Sequence, residues 1–325
     1  MLRYVIRRLL IAIPILLFLS IIVFMAARAS SSPEAAIRLN PRVSAADIER
    51  YRANLGLDKS NAEQYAIWLG NFAQGDLGDS LVKNRPVWPL LKSAIGNTLV
   101  LGLAGISVAL LIGIAIGTLS AIRQYSWFDN MATGGAFLGL SMPQFWFALI
   151  LQLLFGVWLI DWLNLNRSIL PISGMKSPGT QGFDVVDRVR HLVLPATVLA
   201  VQLIAVYSRY MRASMLEVLH SDYLRTARAK GLRESRVIIR HGVRTALIPV
   251  TTQAAIDLGL IVGGLIITEQ IFQWPGMGVL FLDAMASGDY QIILPWLMIT
   301  SASVILLNLA ADVLYAFLDP RIRYD

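Results

Sequence analysis

The chain contains no cysteine. A disulfide framework and a thiolate metal site are therefore excluded, and thiol usage says nothing about its compartment. Its three histidines, His191, His220 and His241, share no ligand spacing, so no metal site is expected. Charge is also scarce: 15% of residues are Asp, Glu, Lys or Arg, against about a quarter in soluble domains. No G-x-x-x-x-G-K-[ST] loop is present, and neither "AKG" nor "MKSPG" fits one, so the chain does not cradle ATP phosphates in that way. A Ser/His/Asp set, H-E-x-x-H and paired carboxylates within an apolar run are all missing, which argues against a membrane enzyme. Basic and aromatic residues do not alternate along an exposed platform, so the net charge of +7 is not a nucleic-acid signal.

What remains is mostly apolar. Of 325 residues, 56% are hydrophobic, and the mean hydropathy is +0.61. Several runs reach the roughly 20 residues that span a bilayer as a helix. Six spans follow, near Leu9–Ala27, Asn97–Leu119, Leu140–Trp162, Leu192–Tyr207, Leu247–Phe272 and Ile292–Phe317. The first, although preceded by Arg3, Arg7 and Arg8, is longer than a signal-peptide core of about 7–15 residues and reads as a retained anchor. The expected fold is an all-α integral membrane protein.

Orientation comes from the arginines. Lysine and arginine concentrate on the cytoplasmic side. Arg3, Arg7 and Arg8 place the N-terminus inside, and Arg321 and Arg323 place the C-terminus there too. Between spans four and five, Arg209–Arg244 carries nine basic and three acidic residues, so it also lies inside. Glu269, Asp283 and Asp289 mark the opposite side. The mixed-charge stretch Arg28–Gly96 reads as an extracytoplasmic subdomain. It contains a helix over "SAADIERYRANLGLD" and a second over "AEQYAIWLGNFAQGDLGDSL" that ends in a glycine-rich turn. No internal repeat is evident, which removes the usual sequence argument for a secondary transporter.

The basic loop is the least lipid-like part of the chain. Asp222–Lys230 reads as a short helix broken by Gly231, where a positive φ costs little. A second helix follows over about Arg233–Ala246. Arg233, Arg236, Arg240 and Arg244 share one of its faces, with Ile238, Ile239, Gly242 and Ala246 toward the other. Such an element can lie on lipid phosphate. The small residues Thr226, Ala227 and Ala229 equally suit a docking surface for a soluble partner, and the residues alone leave both readings open.

Polar groups inside the spans form a second set. Gln253 and Asp257 lie one turn apart in span five, where a carboxylate must face protein or water. They can line a passage, form a buried hydrogen bond between helices of neighbouring subunits, or relay a proton. Gly259 and Gly263 form a GxxxG pair followed by Gly264, suited to close packing. Asn308 and Asp312 share a face in span six, with Asp312 read as structural, and Pro143 marks a helix start or kink. "FQWPGMG", with Trp274, Pro275 and Gly276, reads as an interfacial anchor or a re-entrant lip.

Several of these segments together resemble one family. "TARAKGL" followed by a basic helix is similar to the coupling loop of ABC importer permeases. Thr226, Ala227 and Gly231 fall on that loop's second and third positions and its glycine. Arg225, Thr226 and Arg244 depart from the common glutamate, alanine and proline. "QGDLGDSL" before "RPV", "SMPQFW", "LPISG", "TEQIFQWPGMGVL" and "LDPRIRY" resemble the oligopeptide and dipeptide branch, specifically its first-type (B) permease subunit, over nearly the whole chain.

The resemblance implies a type I importer permease in the bacterial cytoplasmic (inner) membrane. Residues 1–95 would form an N-terminal anchor with an extracytoplasmic subdomain. Residues 96–325 would form a five-helix core whose coupling loop is 209–246. The implied partners are a second, homologous permease subunit in a hetero-dimer, two cytoplasmic ATPase subunits or domains that bind ATP and Mg, an extracytoplasmic substrate-binding protein, and membrane lipid. It implies coupling roles for Thr226, Ala227, Ala229, Gly231, Arg236 and Arg240, and favours the lip for Trp274, Pro275 and Gly276. The substrate leans to peptides, although the branch also carries nickel complexes and other small solutes. The competing expectation is an ion-coupled secondary transporter with Asp257 as its proton site.

Overall fold

The structure, a computed structural model, describes residues 2–30, 59–80, 82–180 and 182–318. The helix expected over "SAADIERYRANLGLD" and the terminal "DPRIRYD" lie outside the described residues. Among those described, helices dominate and one short hairpin accompanies them. Five helices are long and apolar enough to cross a membrane: Tyr4–Ala26, Val87–Ile122, Gln144–Leu163, Val185–Leu219 and Tyr290–Val313. The expected fifth span is a bent pair, Glu234–Ile261 and Ile266–Phe272, with 59° between its halves. The six-span reading therefore stands with one span broken.

The scaffold is α3 (Val87–Ile122) packed along α7 (Val185–Leu219). At about 1.5 Å per residue each exceeds the roughly 30 Å hydrocarbon core. Both therefore run past the apolar stretches that hydropathy detects. Their approach is close because α3 presents Gly113 and Gly117 to α7. A Cβ at Gly117 would press on the backbone of Ser208 and Arg212 and on the side chain of Met211. In lipid, such small residues let dispersion contacts between backbones replace the missing hydrophobic drive.

The first helix, α1 (Leu2–Ser30), lies against α13 (Tyr290–Leu318). The Tyr4 hydroxyl donates to Asp312 Oδ2 at 2.7 Å, and Arg8 Nη2 lies 3.1 Å from the same oxygen. Asp312 thus has the structural role read from its position. Next, α2 (Asn61–Ala73) starts at a capping box in which the Ser60 hydroxyl accepts from the Glu63 N–H and Glu63 accepts from the Ser60 N–H. Donation from the Ser60 N–H, and then from the Ser60 hydroxyl, to Glu63 Oε2 holds the Glu63 carboxyl below its usual range. Tyr65 and Trp68 pack on Phe24 of α1, and the glycine-rich turn follows, with Gly75 at φ +84°.

After that turn, β1 (Asp79–Ser80) pairs antiparallel with β2 (Arg85–Pro86). The buried Ser80 hydroxyl donates to buried Asp289 at 2.5 Å and ties the hairpin to the start of α13.

From α3 the chain turns into α4 (Trp127–Ser141), and Pro143 then starts α5 (Gln144–Leu153), as the helix-start reading expects. A π-helical turn, Leu154–Trp158, joins α5 to α6 (Leu159–Leu163). Beyond α7 lie α8 (Asp222–Ala229), α9 (Glu234–Arg236), a π-helical stretch over Val237–Val243, and α10 (Arg244–Ile261). The basic helix and span five are therefore one continuous path, where the sequence suggests two elements. Two short helices, α11 (Ile266–Phe272) and α12 (Met277–Ser287), precede α13.

Candidate functional site

Three stations along the bundle carry polar or specialised residues. At the arginine-rich end, α8 buries Leu224 and Ala227, one turn apart, in the core formed by Met215, Val218 and Val237. Ala227 is therefore turned inward, and an approaching surface would not meet it. Thr226, Ala229 and Lys230 remain exposed. Gly231 adopts φ +73° and its surroundings are open, so backbone conformation rather than space selects glycine here. Arg228 closes the corner on Glu234 at 3.0 Å.

Arg233, Arg236, Arg240 and Arg244 are all exposed, as their spacing predicts. Gly242 and Ala246 are buried and Ile238 is half-buried, but Ile239 is 68% exposed. The π-helical stretch explains this difference. Its wider turn shifts the 3.6-residue phase and rotates Ile239 out beside Arg240.

The same end holds an ion pair that hydropathy does not reveal. Asp129 on α4 is 2% exposed and receives Arg212 Nε and Nη2 of α7 at 2.6 and 2.7 Å. The guanidinium, aided by the Tyr125 N–H, holds the Asp129 carboxyl well below its usual range. Bidentate geometry fixes α4 against α7 near the start of the basic segment.

Midway along the bundle, both oxygens of Asp257 are occupied within the chain. The buried Tyr207 hydroxyl of α7 donates to Oδ2 at 2.8 Å, and Gln253 Nε2 donates to Oδ1 at 2.9 Å. Gln253 and Asp257 thus meet as their spacing requires. Tyr207 is the partner that sequence reasoning missed, because nothing in the spacing links two separate helices. Asp257→Leu should orphan the Tyr207 hydroxyl and cost about 1–3 kcal/mol, read as lower yield and melting temperature of the assembled protein. Tyr207→Phe should recover part of that loss when added to Asp257→Leu. If Asp257→Leu melts like wild type, the bond has no structural weight. Asp257→Asn, which keeps an acceptor, separates transport effects from assembly.

At the opposite end, the chain breaks after Ile261, with Gly264 at φ +99° against the backbone of Met277 and Gly278. The segment "FQWPGMG" turns back between α11 and α12. Phe272 and Trp274 are each 1% exposed, so neither is an aromatic anchor at a lipid interface. Trp274 Nε1 donates to the Asn97 carbonyl at 2.9 Å, and Asn97 Nδ2 donates to the Pro275 carbonyl at 2.8 Å.

Beneath Gly276 sits Glu269, fully buried. It accepts from the Thr98 hydroxyl at 2.6 Å, and from the N–H groups of Gly278 at 2.7 Å, Leu265 at 3.2 Å and Val279 at 3.3 Å. A Cβ on Gly276 would strike both Glu269 and Thr98. The "SMPQFW" and "LPISG" segments brace this arrangement. Gln144 reaches Thr268 at 2.9 Å, and the Gly174 N–H donates to the Phe272 carbonyl at 2.7 Å. Sequence reading saw Glu269 only as a charge on the far side; an acid inside a long apolar run was the available signal for more.

The described residues thus form a helical bundle rich in apolar spans, with an arginine-faced elbow at one end and a buried, hydrogen-bonded turn at the other. Two family models match it: "Binding-protein-dependent transport system inner membrane component" over residues 113–324, and the N-terminal model of such membrane components over residues 1–102. The chain belongs to this family of inner-membrane transport components. It is 43% identical over 325 residues to the oligopeptide transport system permease protein AppB of Bacillus subtilis, with all of both chains covered. It is 39% identical over 324 residues to the glutathione transport system permease protein GsiC of Pectobacterium atrosepticum, again over 100% of each chain. It is 38% identical over 340 residues to the di/tripeptide transport system permease protein DppB of Pseudomonas aeruginosa, also with full coverage.

Proposed function

We propose that the chain is a permease subunit of an ATP-driven peptide importer and forms half of the translocation pathway. The observation that carries this reading is full-length similarity to peptide permeases in a chain without a nucleotide loop of its own. Energy then arrives through α8 and Gly231, which offer Thr226, Ala229 and Lys230 to two ATPase subunits or domains holding ATP and Mg. Arg236 and Arg240 steady the contact against lipid phosphate and acidic partner residues. Gln253 and Asp257 flank the passage, and Trp274, Pro275 and Gly276 form its outer lip. Residues 1–95 are an anchor with an extracytoplasmic subdomain, and residues 96–325 are the permease core with its coupling loop at 209–246.

The second half of the pathway is a homologous permease subunit, and an external binding protein delivers substrate. An ion-coupled carrier using Asp257 is disfavoured by the family. Purification of the intact complex tests the reading directly: ATPases, a second permease and a retained peptide should come with this chain. Recovery of this chain as an active transporter without an ATPase would overturn it.

Both termini and the basic segment are cytoplasmic in this proposal. Cysteines at Gly231, Ser60, Lys176 and Gly288 should report it. Only Gly231→Cys should resist an impermeant thiol reagent added to whole cells, and its labelling from outside would invert the topology.

A further inference from the structure

One helix, α4, connects the buried Asp129–Arg212 pair with the "SMPQFW" segment. Asp129 lies in its first turn, and the chain leaves it at Met142 and Pro143. At its arginine end α4 is tied to the part of α7 that carries the elbow. Arg212 stands two turns before Leu219, where α7 ends. The elbow is fixed to those last turns. Leu224 and Ala227 of α8 are buried with Met215 and Val218, and the Ser221 hydroxyl donates to the Val218 carbonyl at 2.6 Å. A shift of α8 therefore shifts Arg212. The guanidinium grips Asp129 with two bonds, and the Tyr125 N–H donates to the same carboxylate at 2.9 Å. Two-point attachment makes α4 follow in angle as well as in position.

The other end of α4 leads to the lip. Met142 is extended, at φ −78° and ψ 120°, and Pro143 opens α5. Gln144 and Gln152, about two turns apart on α5, both donate to α11, to the Thr268 hydroxyl and the Ile271 carbonyl, each at 2.9 Å. Thr268 is fully buried and directly precedes Glu269, the acid bonded beneath the lip. Between these ends α4 is lightly seated: Asp129, Ala136 and Gly139 are its buried residues, and Gly134 and Gly135 have open surroundings. A buried ion pair is a poor device for simply fastening two helices. Desolvation offsets much of its attraction, and apolar residues of similar volume fasten as well or better. What the bidentate pair adds is a fixed geometry.

We propose that α4 is a transmission strut. Asp129 and Arg212 are positioning residues that pass a displacement of α8 along α4 to Gln144 and Thr268, and so to the lip. The two ends stand roughly 20 Å apart at about 1.5 Å per residue. Effects at sites so distant add when the sites are independent. Links in series behave differently, because breaking either one already interrupts the strut. The proposal rests on the importer reading above.

The test uses the complete importer in proteoliposomes, its binding protein loaded with labelled trialanine. Arg212→Lys keeps the charge and loses the fork. It should lower the peptide carried per ATP hydrolysed roughly three- to tenfold, with yield and melting temperature of the complex near wild type. Gln144→Met, which removes the bond to Thr268 at similar volume, should do the same. Combined, the two should lose no more than the worse of them alone. Asp129→Leu with Arg212→Met should assemble at wild-type yield, since apolar residues replace the whole pair, and still be uncoupled. Losses that multiply in the combined variant would make each contact a local brace and overturn the strut. Loss of assembly in Arg212→Lys or in the apolar double variant would make the pair a structural clamp and overturn it too. Wild-type coupling in either would overturn the proposal while leaving the importer reading intact. If the loaded binding protein fails to stimulate ATP hydrolysis by the wild-type complex, the importer reading fails and the strut fails with it.

Discussion

Replacing Glu269 with alanine is expected to collapse the lip and abolish transport. The carboxylate accepts four hydrogen bonds, from Thr98, Leu265, Gly278 and Val279, and is fully buried. Three of those donors are backbone N–H groups, that of Leu265 just before α11 and those of Gly278 and Val279 in the first turn of α12. Without the acceptor they are left in an interior that offers no water. Each orphaned buried donor costs about 1–3 kcal/mol, so the loss is on the order of 4 kcal/mol even if some donors find new partners, which is exceptional for one substitution.

Glu269→Gln should be milder, because one oxygen remains to accept while the amide N–H₂ meets at least one of the same donors. Gly276→Val should mimic the alanine variant from the other side, since its side chain would occupy the place of Glu269 and Thr98. Thermal unfolding of the purified complex, with transport measured in parallel, checks the series. A wild-type melting temperature for Glu269→Ala would mean that the carboxylate does not hold the lip.

The contrast between Glu269 and Asp257 shows what the sequence makes readable. Each is an acid within an apolar run, and each must find donors or water. That much follows from hydropathy. The nearest donor to Asp257, Gln253, is also readable because one helical turn separates them. Tyr207 and Thr98 are not readable, because their contacts join residues 50 and 171 positions apart.

Helix existence follows the same division. Five expected spans match helices by composition alone, while the bend in the remaining one, the expected fifth, depends on Gly264 meeting Met277 and Gly278 in space. The G-x-x-x-G pair Gly259 and Gly263 packs against α13 as its spacing suggests, with added Cβ atoms meeting Leu307 and Thr300, and the same spacing at Gly113 and Gly117 faces α7. Spacing shows that close packing is possible; only the fold shows which helix is the partner. The exposure of Ile239 has a different origin: a π-helical stretch changes the period on which the face assignment rests.

The arginine end yields the other large expected effect, because structure divides three residues that composition groups together. Thr226, Ala227 and Ala229 are equally small. Ala227 points into the core with Leu224, and Thr226 and Ala229 point out. Ala227→Glu should therefore act on the permease itself. It forces a carboxylate among Met215, Val218 and Val237, where an unpaired charge is costly, and the yield of assembled protein should fall severalfold.

Ala229→Trp should behave differently. The side chain extends into solvent and leaves the core untouched, so membrane yield should equal wild type. In the proposed importer it would stand between α8 and the ATPase, and stimulation of ATP hydrolysis by the loaded binding protein should fall at least tenfold. Gly231→Trp combines strain with bulk, because a non-glycine residue at φ +73° is disfavoured by about 1–2 kcal/mol. Its uncoupling should exceed its effect on yield. Reversing Arg236 and Arg240 to glutamate should weaken attachment of the ATPase in a salt-dependent manner, since both side chains are exposed and exposed charges are screened within about 10 Å at 0.1 M salt. Yield, ATPase stimulation and co-purification measured on the same preparations separate these outcomes. If Ala229→Trp and Gly231→Trp retain wild-type stimulation and keep the ATPase bound, α8 is not the coupling surface, and the arginine helix is left as an element that rests on lipid.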